Sequence, residues 1–285
     1  MNKEKLSVGK ILVYLFLIFW ALTTIYPIIW VIQNSFKAKD KILSNSFALP
    51  FGELFTAANY RKAFGNLNIL GAYKNSIFIS FVVCACVVLF AGMCAYALSR
   101  YSFKGSGFLY SLVVASMMFP VYATIIPVFT MEAKWGITNT SSWFLTMISV
   151  ILPQVAGNLA FAIIVLVGYI KGLPIELEEA AFMEGCNAYQ IFFKVIVPLT
   201  KPSFATVAIF GFLWSYNDLF TQMFFLRRPE MRAITRLLNE LTSQEGTNYG
   251  LMAAAVTLVV VPVVIVYIFL QKYIIKGMTA GAVKG

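Results

Sequence analysis

Along the chain, long runs of hydrophobic residues without a single charge alternate with connectors that hold nearly all the charged positions. Segments 11–36, 75–99, 105–131, 135–170 and 246–271 contain no charged residue, and segment 202–226 contains one, Asp218. A hydrocarbon layer about 30 Å thick is crossed by roughly 20 residues of helix, so each run is long enough to span it. The fourth run opens with Gly136, Ile137, Thr138, Asn139, Thr140, Ser141 and Ser142, which is turn chemistry. Its helix is therefore predicted to begin near Trp143. The pattern predicts six transmembrane helices, at about 11–33, 76–98, 107–129, 143–169, 203–225 and 250–270. Between the fourth and fifth lies a connector, 171–202, and after the sixth a tail, 271–285.

Composition agrees with the pattern. Only 12% of the 285 residues are charged while 60% are hydrophobic, against about 25% charged in a soluble domain. The chain reads as an all-α integral membrane protein, with 1–285 a single transmembrane domain set in a lipid bilayer, which excludes a cytosolic enzyme, a disulfide scaffold or a disordered polymer. The net charge of +10 comes from residues scattered through the connectors. That is the distribution of span flanks and not of a nucleic-acid patch. The chain has no His, which removes the usual general base and the commonest metal ligand together. Cys84, Cys86 and Cys94 share one apolar run and Cys186 stands apart, a spacing that suits packing and neither a disulfide framework nor a metal site. No metal and no cofactor is expected.

An even number of spans puts both termini on one side of the bilayer. The first run is about twice as long as a signal-peptide core and lacks a small-residue cleavage site, so it reads as an uncleaved span. The 22 basic residues divide evenly, eleven to each side, but Lys3, Lys5 and Lys10 precede the first span and favour a cytoplasmic N-terminus. Pro27, Pro120, Pro127, Pro153 and Pro262 fall inside or at the ends of spans, where each removes a backbone donor and bends a helix.

The 171–202 connector is far longer than two helices need to turn around. Pro174 suits a first helical turn, Glu176, Glu178 and Glu179 complement the positive end of the helix dipole, and Gly185 is a natural stop. A second short helix is predicted from Ala188 to Val197, ended by Pro198. Ala180 and Ala181 leave one helix side thin enough for another backbone to approach, Glu179 offers a carboxylate, and Phe182, Phe192 and Phe193 add aromatics. That is the composition of an interaction patch, and equally that of an amphipathic loop resting on the lipid interface.

Asp218 is the one ionisable residue expected well inside a span, and such residues are candidates for function. Trp214, Ser215, Tyr216 and Asn217 surround it with flat apolar faces and hydrogen-bonding groups, the combination that recognises a sugar ring. The alternative is that Asp218 marks a helix break and pairs locally. Outside the membrane, the connector 34–74 carries Lys37, Lys39, Asp40, Lys41, Arg61 and Lys62 and reads as a solvated loop. The last outer loop carries Arg227, Arg228, Arg232 and Arg236.

Glu179, Ala180 and Ala181, followed after three residues by Gly185 and after nine more by Val195, Ile196, Val197 and Pro198, resemble the signature of binding-protein-dependent ABC importer permeases. That signature is written EAA, three residues, G, nine residues, I-x-L-P. Val195 and Val197 depart from it conservatively. The closing run Gly277, Met278, Thr279, Ala280, Gly281, Ala282, Val283, Lys284 and Gly285 is similar to the tail of carbohydrate-importer permeases, the group holding the smaller permease subunit of maltose transporters.

The resemblance implies a permease subunit of a bacterial or archaeal inner membrane, with cytoplasmic termini, forming half of a path for an oligosaccharide or related sugar. Its partners would be a second and different permease chain, two ATP-binding subunits and an extracytoplasmic sugar-binding protein. Glu179, Ala180, Ala181, Gly185, Val195, Val197 and Pro198 would couple the path to the ATPase, and Trp214, Tyr216, Asn217 and Asp218 are candidates for the path itself. No G-x-x-x-x-G-K-[ST] loop is present, so ATP would be hydrolysed by another subunit. With no catalytic constellation, the chain is not expected to be an enzyme. Two other readings are open: the same superfamily with a glycerol-phosphate ester or anionic oligosaccharide as cargo, and an ion-coupled secondary transporter. The latter would show more intramembrane charges and an inverted repeat.

Overall fold

The structure is a computed structural model that describes residues 8–66, 68–244 and 248–282. Lys3 and Lys5, and the last tail residues Val283, Lys284 and Gly285, lie outside the described residues. All regular structure among the described residues is helical. The chain divides into two compact units, Met1–Ile69 with Leu238–Pro262, and Leu70–Leu237 with Val263–Gly285.

In the first unit, α1 (Val8–Ser35) carries Pro27 within it and is followed by α2 (Lys39–Ser44), a 3-10 turn at Gly52–Leu54 and α3 (Ala58–Asn66). The connector after α1 keeps Lys39, Asp40, Arg61 and Lys62 exposed, as expected of a solvated loop, but departs from that expectation at Lys37. Lys37 is fully buried, and its Nζ donates to the carbonyls of Asn45 and Ser46 at 3.1 and 3.2 Å, where α2 ends. A buried ammonium is tolerated when its donors are matched in this way, and desolvation lowers the Lys37 pKa. Asn59 Nδ2 donates to the carbonyls of Ser35 and Lys37 at 2.9 and 2.8 Å. Phe36 lies 5.7 Å from the Phe55 ring and 4.9 Å from Tyr60. The connector buries its polar backbone by closing on itself.

The second unit begins with α4 (Ile69–Arg100), past its first residue, and continues through α5 (Ser106–Ser116), α6 (Val121–Lys134) and α7 (Trp143–Lys171). It goes on through α8 (Glu176–Met183), α9 (Ala188–Ile191), a π-turn at Phe192–Ile196 and α10 (Val197–Leu199). Next come α11 (Lys201–Asn217), α12 (Leu219–Phe225) and a 3-10 turn at Pro229–Met231. The last two helices, α13 (Ile234–Gln244) and α14 (Tyr249–Ala282), each run across the division between the units.

The core of this unit follows helical periodicity. Ile79, Val83, Val87, Ala91 and Ala95 recur every fourth residue on α4 and are all buried. With Met147, Val150, Leu166 and Ile170 of α7 and Ile196 and Val207 they form one continuous cluster. Ser142 caps α7 by accepting from Leu145 N–H at 3.4 Å, so the helix starts at Trp143 as its turn chemistry predicts.

Among the described residues, four helices are long and apolar enough to cross a membrane: α1, α4, α7 and the Tyr249–Phe269 part of α14. A fifth candidate is a pair, Ala188–Leu199 with Lys201–Asn217, bent by 84°. The protein is an all-α, multi-span membrane protein. Two of the predicted spans are not continuous helices. Run 107–129 breaks between α5 and α6 at Pro120, which lacks the N–H an unbroken helix would use. Run 203–225 breaks at Asp218, whose carboxylate starts a new helix. The expected tail is largely helical, since α14 continues to Ala282.

Candidate functional site

Two features of the second unit stand out, one on the 171–202 connector and one where α5, α6, α7, α11 and α12 meet. On the connector, three glutamates fall in the first turn of α8, where the dipole favours them. The helix begins at Glu176, two residues beyond Pro174. It stops in a Schellman arrangement: Cys186 N–H reaches back to Ala181 C=O at 3.1 Å and Gly185 N–H to Phe182 C=O at 2.9 Å. Closing that loop needs a left-handed residue, and Gly185 has φ +85°. The next helix opens with a capping box, Asn187 Oδ1 accepting from Gln190 N–H at 3.0 Å and Gln190 Oε1 from Asn187 N–H at 2.9 Å. The second helix was expected to end at Pro198. Instead the π-turn shifts the register, and Pro198 sits in the first turn of α10, where its missing N–H costs little.

The signature residues divide between two faces. Glu179 and Ala180 are exposed together with Phe182 and Met183, the latter 85% exposed. Ala181, Val195 and Val197 are half-buried against the core, and Pro198 is exposed. Beside the exposed face is a groove of about 470 Å³ whose lining includes Tyr101, Ile175, Glu179, Phe182 and Ile191.

Sequence reasoning missed the inward glutamate. Glu178 is buried, and its Oε1 lies 2.5 Å from Arg100 Nε while its Oε2 accepts from Tyr96 Oη at 3.1 Å. The available signal was geometric: adjacent positions 178 and 179 point about 100° apart on a helix, so both cannot face solvent equally.

The second feature is a cavity of about 310 Å³ lined by residues including Met117, Phe119, Pro153, Gly157, Phe161 and Trp214. The helix break at 117–120 forms one wall. Trp214 meets Phe161 edge to face at 4.9 Å and lies 5.6 Å from Phe210. Asn217, one turn further along α11, is exposed and its Nδ2 donates back to Leu213 C=O at 2.8 Å. Tyr216 is instead buried. Asp218 caps α12 by accepting from Thr221 N–H at 3.0 Å, and its other oxygen accepts from Gln154 Nε2 at 2.9 Å. Gln154 Oε1 accepts from Ser215 Oγ at 2.5 Å, and Gln222 Nε2 donates to Ser215 C=O at 3.2 Å. Thr235 Oγ1 donates to Gln222 Oε1. The structure therefore brings Trp214 to the cavity and Asn217 to the exposed side of α11, and turns Tyr216 inward.

Of the outer arginines, Arg227 lies over the Phe129 ring at 4.5 Å and Arg228 stands 4.0 Å from Glu230. All four cysteines are unpaired. Among the described residues no group of three or more His, Cys, Asp or Glu could hold a metal ion.

A multi-span helical protein with a helix, a glycine turn and a helix between two spans defines a class, and comparison with known proteins gives it a family. Residues 87–280 match the family described as binding-protein-dependent transport system inner membrane component, and the chain belongs to that family. It is 34% identical over 269 residues to the arabinooligosaccharides transport system permease protein AraQ of Halalkalibacterium halodurans, covering 94% of each chain. It is 32% identical to the diacetylchitobiose uptake system permease protein NgcG of Streptomyces coelicolor, over 93% of this chain and 86% of that one. A crystal structure of a bacterial ABC transporter involved in the import of the acidic polysaccharide alginate contains a chain of the same fold. Its TM-score is 0.80 at 24% identity, over 96% of this chain and 99% of that one. The chain is thus a permease subunit of an ABC importer and not an enzyme, which sets aside the ion-coupled carrier.

Proposed function

We propose that this permease carries a neutral oligosaccharide, and that the aromatic cavity beside Trp214 is its half of the path. The observation that carries the reading is the lining itself. Trp214, Phe161 and Phe119 offer apolar faces to a sugar ring, Ser116 and Thr124 offer hydroxyls, and no lining residue is charged. An uncharged lining favours a neutral cargo over a phosphate ester or an acidic sugar. Relatives named for arabinooligosaccharides and diacetylchitobiose support the same cargo class.

In this reading the chain is a single permease domain with six crossings of a bacterial or archaeal inner membrane and both termini in the cytoplasm. α5 with α6 makes the third crossing and α11 with α12 the fifth, each broken where it borders the cavity. The 171–202 segment lies on the cytoplasmic face and presents Glu179, Ala180 and Phe182 to an ATP-binding subunit, with Gly185 fixing the turn, Val195 and Val197 seating it and Pro198 on its exposed side. A second permease, two ATP-binding subunits and an extracytoplasmic binding protein complete the importer.

Uptake of labelled neutral trisaccharides by membranes carrying the whole complex tests this reading. The Trp214→Ala variant is expected to assemble normally and to raise the sugar concentration for half-maximal uptake about tenfold, equivalent to about 1.4 kcal/mol, while Asn217→Ala reports whether the exposed side of α11 also meets the sugar. Unchanged uptake at limiting sugar in Trp214→Ala would overturn the cavity as the path.

A further inference from the structure

The 171–202 segment is tied to the rest of its unit through its inward side, and the tie converges on one guanidinium. Arg100 is the last residue of α4. Its Nε lies 2.5 Å from Glu178 Oε1 in the first turn of α8, and its Nη2 donates to Leu173 C=O at 3.0 Å, just past the end of α7. Tyr96, one turn earlier on α4, donates to the other Glu178 oxygen at 3.1 Å. The side chains of Arg100 and Glu178 are only 10% and 9% exposed. Three elements therefore meet at a largely buried charge pair that borders the groove beside Glu179.

Such a junction behaves differently from an apolar contact. Apolar surfaces slide over one another at little cost, whereas separating a desolvated pair leaves two buried charges without partners. α8 cannot shift against α4 without breaking it. α4 is in turn locked to the segments that follow α8. A Cβ at Gly92 would come within 2.7 Å of Phe204 on α11 and 3.2 Å of Phe192 on the π-turn, so backbone and rings are in close contact there. α11 carries Trp214 into the cavity.

We infer that Arg100 and Glu178 are positioning residues that make α8 and α4 move as one body, so that motion imposed on the exposed face of α8 reaches α11 and the cavity. The inference rests on the coupling reading above and adds to it the inward anchor: Glu179 and Ala180 face the partner, while Glu178, Arg100 and Tyr96 hold the helix to the spans.

The test uses the complete complex in proteoliposomes. ATP hydrolysis and sugar uptake are measured together, with whichever labelled trisaccharide of the arabinose, galactose or glucose series the wild type takes up fastest. Glu178→Gln and Arg100→Ala are expected to keep the ATP-binding subunits bound but to lower sugar moved per ATP about tenfold, within the usual range of coupling between sites. Arg100→Lys, which keeps the charge but lacks the planar fork that reaches Glu178 and the Leu173 carbonyl from two separate nitrogens, is expected to fall between. The charge-swapped pair Arg100→Glu with Glu178→Arg is expected to recover about half of the lost coupling, as interacting residues do in a double-mutant cycle. Wild-type sugar per ATP in the single variants would overturn the inference. So would loss of the ATP-binding subunits from the single variants with no recovery in the swapped pair, since that is what a purely structural contact gives. A wild-type complex that binds no ATPase subunit would instead defeat the underlying coupling reading.

Discussion

Asp218 Oδ2 accepts a hydrogen bond from Gln154 Nε2 at 2.9 Å, which ties the break between α11 and α12 to the middle of α7. The other carboxylate oxygen caps α12, so both oxygens are used within the protein. Gln154 passes the network on to Ser215, and all three residues sit beside the cavity wall without lining it.

This arrangement separates the structural from the electrical role of Asp218. Asparagine is as good an N-cap as aspartate, and Gln154 can reverse its amide because Ser215 Oγ can accept as well as donate. Asp218→Asn is therefore expected to leave the unfolding temperature of the detergent-solubilised complex nearly unchanged. Asp218→Ala loses the cap and strands Gln154, a destabilisation of about 1–3 kcal/mol. Normal stability with abolished uptake in the Asp218→Asn variant would show that the charge itself serves the cargo.

Gly185 holds φ +85°, and a Cβ there would meet no atom within 4 Å, so the cost of a side chain is backbone strain alone. Gly185→Ala is expected to destabilise the turn by about 1 kcal/mol and to weaken recovery of the ATP-binding subunits. Gly185→Asn, which tolerates the left-handed region, is expected to retain more of both. Equal recovery of those subunits from the alanine and wild-type complexes would show that the turn geometry is not needed for docking.

How much of this was legible in the sequence depended on how local the physics was. Long charge-free runs are readable because every turn of a helix in hydrocarbon must be apolar, and α1, α4, α7 and α14 lie where those runs predict. The Gly185 stop was legible for the same reason, since a tight turn needs a residue that accepts positive φ. The two helix breaks were harder. Pro120 and Asp218 are visible, but whether each bends a helix or starts a new one depends on partners such as Gln154, 64 residues away. Glu178 was read only as dipole chemistry because its partner, Arg100, is 78 residues distant. Lys37 misled outright: a lysine in a polar connector looks solvated until the carbonyls of Asn45 and Ser46 close around it.

At Gly92 the Phe204 ring of α11 packs directly against the backbone of α4. An alanine Cβ would lie 2.7 and 2.9 Å from the Phe204 ring edge, inside contact distance. Gly92→Ala is expected to cost about 1–3 kcal/mol through overpacking. Adding Phe204→Leu, which withdraws the ring, is expected to restore much of that loss in the double variant, although Phe204→Leu alone is destabilising. The unfolding temperatures of the four proteins in one detergent check the cycle, and simple additivity would mean that the two residues are not in contact.

Gly250 poses the same question in the first unit with a less forgiving neighbour. A Cβ there would meet the Lys37 carbonyl at 2.5 Å and Asn59 Nδ2 at 2.7 Å, and the first of these is backbone. Asn59 cannot simply move aside, because its Nδ2 already joins the carbonyls of Ser35 and Lys37. Gly250→Ala is thus expected to displace the start of α14 or to break the Asn59 bonds that close the connector after α1. Either outcome loosens the backbone at Lys37, and its ammonium is expected to become more accessible. Modification of Lys37 by an amine-reactive reagent added to the detergent-solubilised protein should then rise in the variant, read by peptide mass spectrometry, while Lys39 and Lys41 change little. A Lys37 as protected in Gly250→Ala as in the wild type would mean that the helix accommodates the methyl group without disturbing the connector.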